Sequence, residues 1–357
     1  MKKMYCGGID IGGTKIASAL FTEGGRMSGR KRVPIDSGPA DRPVRQIAGL
    51  IHDLEGRALE NGGELLAIGI CIPGVVFART GRVWAPNIPG WDHFPLRDRL
   101  TAITDIALFL DSDRSAYVLG EQWGGAARGK KDVVFLAVGT GIGAGILSGG
   151  RLVRGSRGIA GAVGWFGLDP RFKSEYSAMG CFEAEASGGS IGRKARELLA
   201  SGEPSVMRDA VKGRIDRVTA RTVMESARAG DPLARHILDR AVVYLAMGIA
   251  NIVSLLNPET IVLGGGLFQA SDLLLEPVRR EFKKWAQPLA AQKVKIELPA
   301  LGENAGLYGA AKLAWDHIGR SWIPTQASFH QPSSPGGRRS GGGGFHHSRA
   351  PGKPKKK

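Results

Sequence analysis

Cysteine is scarce in this chain, with Cys6, Cys71 and Cys181 the only three among 357 residues. Three such scattered thiols cannot make a disulfide framework, and Cys6 and Cys71 sit inside apolar runs, so a reducing cytoplasm fits this usage. No stretch reaches about 18 apolar residues without charge, and no apolar signal region precedes the first strand-like run. These absences predict a protein that is neither exported nor membrane-spanning. Acidic residues are also few, 33 against 49 Lys and Arg, for a formal net charge of +16. An excess of that size raises nucleic acid or an anionic membrane as a partner, so its distribution decides what it means. Half of it lies between Arg320 and Lys357, where eight basic residues and no acidic one occur. After Ser328 the composition falls to Gly, Pro, Ser, His and Lys/Arg, which predicts a disordered tail over 328–357. Loose, salt-dependent nucleic-acid binding is the most such a tail implies, and a solvated appendage is its commoner role. Removing it is expected to leave activity unchanged.

Glycine is abundant, at 53 residues, about twice the usual share of roughly 7%. Much of the excess falls in short turns after apolar runs, where backbone must approach something closely. The chain is long enough for two cores, with a cleft between two lobes as the natural arrangement. Gly7–Ile11 and Ile16–Thr22 read as strands joined by a tight turn, followed by a strand over Lys31–Ile35 and a helix over Pro43–Glu60. Leu66–Ile72 reads as a strand that breaks at Pro73-Gly74, and Ile106–Leu110 as another that ends at Asp111, ahead of a helix running to about Ala126. From Asp132 the plan begins again, with strand Val133–Val138, turn Gly139–Gly143 and strand Ala144–Leu147. Such a weak internal repeat suggests duplicated lobes facing one another across a ligand. Further on come a long helix over Pro232–Leu256, a buried strand over Thr260–Leu263 and a last helix over Glu303–Ile318.

Three glycine turns carry candidate chemistry. In Asp10-Ile11-Gly12-Gly13-Thr14-Lys15 the backbone N–H groups can face phosphate oxygens, Thr14 can add a hydroxyl, and Asp10 can hold magnesium through water. A plain structural hairpin is an equally open reading. Gly139-Thr140-Gly141-Ile142-Gly143 repeats the provision after a second buried strand. It matches neither a Walker loop nor a dinucleotide fingerprint, since no Gly-Lys-Ser/Thr follows and a strand continues where a helix should begin. The third turn, Gly264-Gly265-Gly266, leaves room for a base or ribose, and together the three argue for a nucleotide. A candidate general base lies in Asp111-Ser112-Asp113, since phosphoryl transfer uses a carboxylate that accepts the attacking hydroxyl's proton. Helix capping by these residues is the commoner role for an Asp-Ser-Asp run, and one aspartate can cap while the other faces the cleft.

The order of the motifs is more specific than any one of them. Over about residues 5–318 the chain resembles the ROK family of sugar kinases and sugar-responsive repressors, within the actin and hexokinase superfamily. The resemblance is carried by nine ordered stretches: Gly8–Ile16, Ile72-Pro73-Gly74, Ala85-Pro86-Asn87, Ser112–Glu121, Val138–Gly145, Ala160-Gly161, Gly180–Gly188, Asn257–Gly266 and Gly306–Ala311. It implies an α/β, two-lobed actin-like ATPase (ribonuclease H-like) fold with an interlobe cleft. The implied lobes are 1–118 and 119–302, with the last helix packing back on the first. It implies ATP and magnesium as cofactors, with Asp10, Gly12, Gly13, Thr14 and Lys15 as the first phosphate loop, Gly139 to Gly143 as the second, and Gly264 to Gly266 lining adenosine. Asp113 aligns with the catalytic aspartate, Gly74, Asn87 and Ser112 with acceptor-side positions, and Glu183 with a carboxylate that binds sugar hydroxyls. A first-turn acid favoured by the helix dipole is the plainer reading of Glu183, and a solvated strand charge that of Lys15. Homodimerisation and a cytoplasmic location follow from family habit alone.

The sequence departs from the family at the acceptor. Ser112 stands where the kinases usually carry asparagine, and Ala160-Gly161-Ala162-Val163-Gly164-Trp165 stands where they carry Ala-Gly-Glu-Ile-Gly-His. Losing partners for particular hydroxyls changes specificity, which leaves glucose as the default acceptor and amino sugars, ketoses and cyclitols open. The missing histidine and the replacement of two family cysteines by Ser174 and Tyr176 leave Cys181 alone, too few ligands for a structural zinc site. No zinc is therefore expected. The loop Asp169 to Met179 is expected to be held by packing with Trp165, Phe166 and Tyr176, with Trp165 filling the core where relatives place metal and stacking on the sugar as its alternative role. His52, His93 and His236 show no ligand spacing and receive no role. A repressor of this family would carry a helix-turn-helix domain before the first phosphate loop, and only nine residues precede Asp10, so a kinase is expected over a regulator or a silent sugar-binding protein.

Overall fold

Strand, turn, strand opens each half of the described chain. The computed structural model describes residues 2–321, and the basic segment 328–357 lies outside them. β1 (Lys3–Ile11) and β2 (Lys15–Phe21) pair antiparallel, β3 (Met27–Pro34) adds to β2, and β4 (Gly63–Ile72) joins β1 in parallel. A parallel pair needs a crossover, and the helix Asp41–Glu60 supplies it, burying Val44, Ile47, Leu50, Ile51, Leu54 and Ala58 on one face. A small hairpin of β5 (Val75–Phe77) and β6 (Arg82–Trp84) follows, and then β7 (Ala107–Ser112) completes the first sheet beside β4. The second sheet comprises β8 (Val133–Val138), β9 (Ile142–Ser148), β10 (Arg151–Leu152), β11 (Thr260–Gly264) and β12 (Lys295–Glu297). The two sheets run in the orders β3-β2-β1-β4-β7 and β10-β9-β8-β11-β12. Counted within each sheet, both orders are third, second, first, fourth, fifth, so the weak sequence repeat is a duplicated topology.

Each sheet has its own core. One gathers Ile9, Ile68 and Ile70 with Ile47 and Leu54 of the crossover helix, and the other packs Val134, Leu136 and Leu263 against the helix Pro232–Leu256. That helix alone among the described residues is long and apolar enough to cross a membrane, and 67% of its most apolar window is buried inside the protein. Two helices, Asp113–Gly124 and Ala305–Ser321, bind the halves together. Val118 and Leu119 of the first and Leu313 of the second share a cluster with Val133, Phe135 and Val262 of the second sheet. On the first sheet, Gly69 has no side chain because the Ala310 carbonyl lies where a Cβ would go.

Candidate active site

The first glycine turn is closed by a hydrogen bond from Gly12 N–H to the Lys15 carbonyl at 2.8 Å. It follows directly on Asp10, near the end of β1. Gly306 lacks a side chain against the Asp10 carboxylate, and the Cys71 thiol donates to Asp10 Oδ1 at 3.1 Å. Burial pushes the Asp10 carboxyl above its ordinary range, against that hydrogen bond and the charges of Lys15 and Arg32. Asn87 flanks the same turn, its Cβ 3.4 Å from where a Gly13 Cβ would stand. Lys15 lies in β2 rather than in the turn and pairs at 3.3 Å with Glu303, which Arg30 and Arg32 also reach.

The run Asp111-Ser112-Asp113 divides its roles. Neither aspartate caps the helix: Ser112 Oγ does, accepting from Ser115 N–H at 3.2 Å. Asp111 accepts from Arg154 Nε at 2.7 Å. Asp113 is the first residue of the helix, its Oδ1 accepting from the next N–H, that of Arg114, at 2.8 Å. Burial raises its carboxyl to about 6, with Arg114 opposing and the Asp10 carboxylate adding to the rise. Burial raises both carboxyls, and the Asp10 carboxylate further disfavours the charge on Asp113, which suits a site where a divalent cation arrives with phosphates.

The second and third turns adjoin, Gly139 lying 3.9 Å from Gly266 N when given a Cβ. With the first turn of the helix Gly188–Ala200, which Ser187 caps, they line a cavity of about 600 Å3 that contains Gly139, Thr140, Gly188, Gly189, Arg221 and Gly266. Gly188 N–H donates to the Gly139 carbonyl at 2.7 Å, fixing the turn to a helix N-terminus, the usual seat of an anion. Gly188, Gly189 and Arg221 were not singled out from the sequence, although the Ser-Gly-Gly-Ser cap was readable there. The expected second loop needs correction at its end. Gly143 lies inside β9 and is small because the Arg114 side chain crosses it, while Gly141 gives way to the Glu183 carboxylate, 2.7 Å from its would-be Cβ. In the third turn Gly264 makes room for the Phe135 ring and Gly265 for the Val138 backbone, so only Gly266 faces the cavity.

On the acceptor side Gly74 packs where the Trp84 carbonyl leaves no room for a side chain. Glu183 does sit in a helix first turn, Cys181–Ala186, but its Oε2 accepts from Ile142 N–H at 2.7 Å across the second turn. Burial raises its carboxyl, against that bond. Trp165 overturns an expectation. It is 58% exposed and fills no core, because the 3-10 turn Val163–Trp165 turns Val163 and Gly164 inward instead. The loop 169–179 is held by Tyr176, which is buried, and by a polar clamp in which Glu185 accepts from Lys173, Tyr176 and Arg240. The Cys181 sulfur accepts from Leu168 N–H at 3.4 Å, and among the described residues no three His, Cys, Asp or Glu side chains converge as metal ligands. A second cavity, of about 890 Å3, opens between the β5–β6 hairpin and the loop after β10 and includes Ser112 but not Gly74, Asn87, Asp113 or Glu183.

The model of the ROK family matches residues 6–317. A glucokinase of Halalkalibacterium halodurans is 33% identical over 311 residues, covering 86% of this chain and 93% of that protein. A solved ROK hexokinase of Thermus thermophilus is 32% identical, with a TM-score of 0.74 over 89% of this chain and all of that one. A ROK family glucokinase of Streptomyces griseus, solved in complex with glucose and AMPPNP, is 30% identical, with a TM-score of 0.68 over 87% of this chain and 99% of that one.

Proposed function

The chain belongs to the ROK family and has its two-lobed actin-like fold, and from that premise we propose that it is an ATP-dependent sugar kinase with Asp113 as general base. The default acceptor is glucose, with an amino sugar, ketose or cyclitol as the alternatives. The observation that carries this reading is the Asp113 carboxyl itself, outside any ion pair among the described residues and raised by burial to about 6 against the charge of Arg114. The similarity to glucokinases, one of them solved with glucose and an ATP analogue, supports it.

Catalysis of phosphoryl transfer is mainly positioning and electrostatics. The Gly12-Gly13-Thr14 turn, the Gly139-Thr140 turn and the Gly188 helix end hold the phosphates, Gly266 receives the nucleoside, and Lys15 exchanges Glu303 for a phosphate oxygen. Asp10 would be the residue that holds magnesium, through water, and the cation would offset phosphate charge when bound. Asn87, Gly74, Ser112 and Glu183 position the acceptor, and Asp113 takes the proton of the attacking hydroxyl as its oxygen adds in line to the γ-phosphorus and ADP leaves. The lobes are 1–118 and 119–302, the protein is a cytoplasmic homodimer, and zinc has no part in it. A screen of sugars and cyclitols by ADP release tests this reading, with wild type compared to Asp113→Asn. Turnover of an acceptor by wild type and its loss in the variant is expected; similar turnover by both sinks the assignment of the base.

A further inference from the structure

The larger cavity beside Ser112 carries a charge that a neutral hexose does not call for. Its ionisable lining consists of Arg79, Arg82, Arg154, Arg157, His93 and Asp111. Four guanidinium groups thus meet one carboxylate, and Arg154 already neutralises it at 2.7 Å. Arg82 is held in place by donating to the His93 carbonyl at 2.6 Å. Arg79 and Arg157 have no ion-pair partner among the described residues. The cations also come from two sides, Arg79 and Arg82 from the β5–β6 hairpin of the first half and Arg154 and Arg157 from the loop after β10 of the second.

The remaining wall suits a sugar ring. Phe77 and His93, both in the lining, stack with centroids 4.7 Å apart and planes 11° apart. His93 is held at φ 49, a left-handed conformation uncommon outside glycine that persists only where its surroundings impose it. At about 890 Å3 the cavity is near the top of the roughly 300–1,000 Å3 usual for small-molecule sites.

We propose that this cavity binds an anionic substituent of the acceptor, so that the substrate class is a sugar phosphate or sugar acid. The inference rests on the kinase reading and narrows it. The substituent is a spectator: the proton of a separate hydroxyl passes to Asp113, an O–P bond forms at the γ-phosphorus, the bond to ADP breaks, and the first anionic group leaves unchanged.

Titration calorimetry on the full chain, with glucose, glucose 1-phosphate, glucuronate and inorganic phosphate as probes, tests it. Charge-assisted hydrogen bonds should make the two anionic sugars bind at least about tenfold tighter than glucose. The preference should shrink with added salt and collapse in the Arg79→Gln/Arg157→Gln double variant. Both side chains are exposed, and the single Arg79→Gln variant, expected to lose part of the preference, guards against a folding defect. Glucose binding as tightly as its 1-phosphate, an undiminished preference in the folded double variant, or inorganic phosphate binding as tightly as glucose 1-phosphate would each overturn the proposal. ADP release with the same panel reads the kinase assignment separately: if no acceptor is turned over, that reading fails, whatever the calorimetry shows.

Discussion

A carboxyl that titrates near 6 is poised to accept a proton at neutral pH, and Asp113 reaches that value because folding removes it from water. The same burial works against stability. Its folded value lies above the ordinary 3.8, so between about pH 4 and pH 6 the folded state binds more protons than the unfolded one, and stability falls as pH rises through that window. Asp113→Asn should therefore raise stability at pH 7 by on the order of 2 kcal/mol, with the gain vanishing near pH 4, while turnover falls by at least about a hundredfold. Denaturant unfolding at the two pH values and ADP release check both halves. A variant that is inactive and also less stable at pH 7 would mean that the carboxylate is a structural hydrogen-bonding group. The acid limb of kcat/KM in the wild type should likewise fall below about pH 6, as the base becomes protonated.

Among the elements, the loop 169–179 shows how a buried carboxylate can hold a loop in place. The side chain of Glu185 is 6% exposed and accepts from Lys173, Tyr176 and Arg240. Burial alone would raise its carboxyl, but the three donors outweigh it and hold it below the usual range. A second tie runs from Arg240 to Tyr244 and from Tyr244 to Asp169, at 3.2 and 3.1 Å. Removing one partner of a buried ionic group strands the others. Glu185→Ala should thus cost about 3–5 kcal/mol and open the loop to proteolysis, while a chelator leaves the thermal midpoint of the wild type unchanged. A midpoint that drops on chelation would replace this clamp with a metal. Elements of this kind divide by how local their causes are. Pro232–Leu256 was legible to the residue because its signals are adjacent: an Asp231 cap, a proline at the first position, and Asn257 in the left-handed conformation at the end. Trp165 was misread because a tryptophan's burial depends on which distant segments cover it. Gly264 and Gly266 look alike in sequence, yet one yields to a phenyl ring and the other to a cavity. The Arg79 and Arg157 cavity was illegible for the same reason, its two sides coming from halves of the chain about 75 residues apart.

For the molecule as a whole, the helix Ala305–Ser321 is the element through which the two sheets meet. It lies on the first sheet where Gly8 and Gly69 let the Leu307 and Ala310 carbonyls come close, and it meets the Asp113 helix where Gly309 touches the Ala116 carbonyl and Gly120 the Ala305 carbonyl. Since the Asp113 helix in turn presses its Arg114 carbonyl on Gly145 of β9, the position of Asp113 depends on backbone contacts reaching from one sheet to the other. Contacts between backbones cannot relax by rotating a side chain, so added volume must move whole elements. Gly309→Ala should cost about 3 kcal/mol or more and lower kcat through displacement of Asp113. Gly319, in the same helix, has open space around its would-be Cβ, so Gly319→Ala should stabilise by about 0.5–1 kcal/mol and leave kcat alone. Urea midpoints and turnover of the two variants side by side check the pair. If both alanines stabilised, helix propensity would outweigh the close approach, and the two sheets would be free to move without that contact.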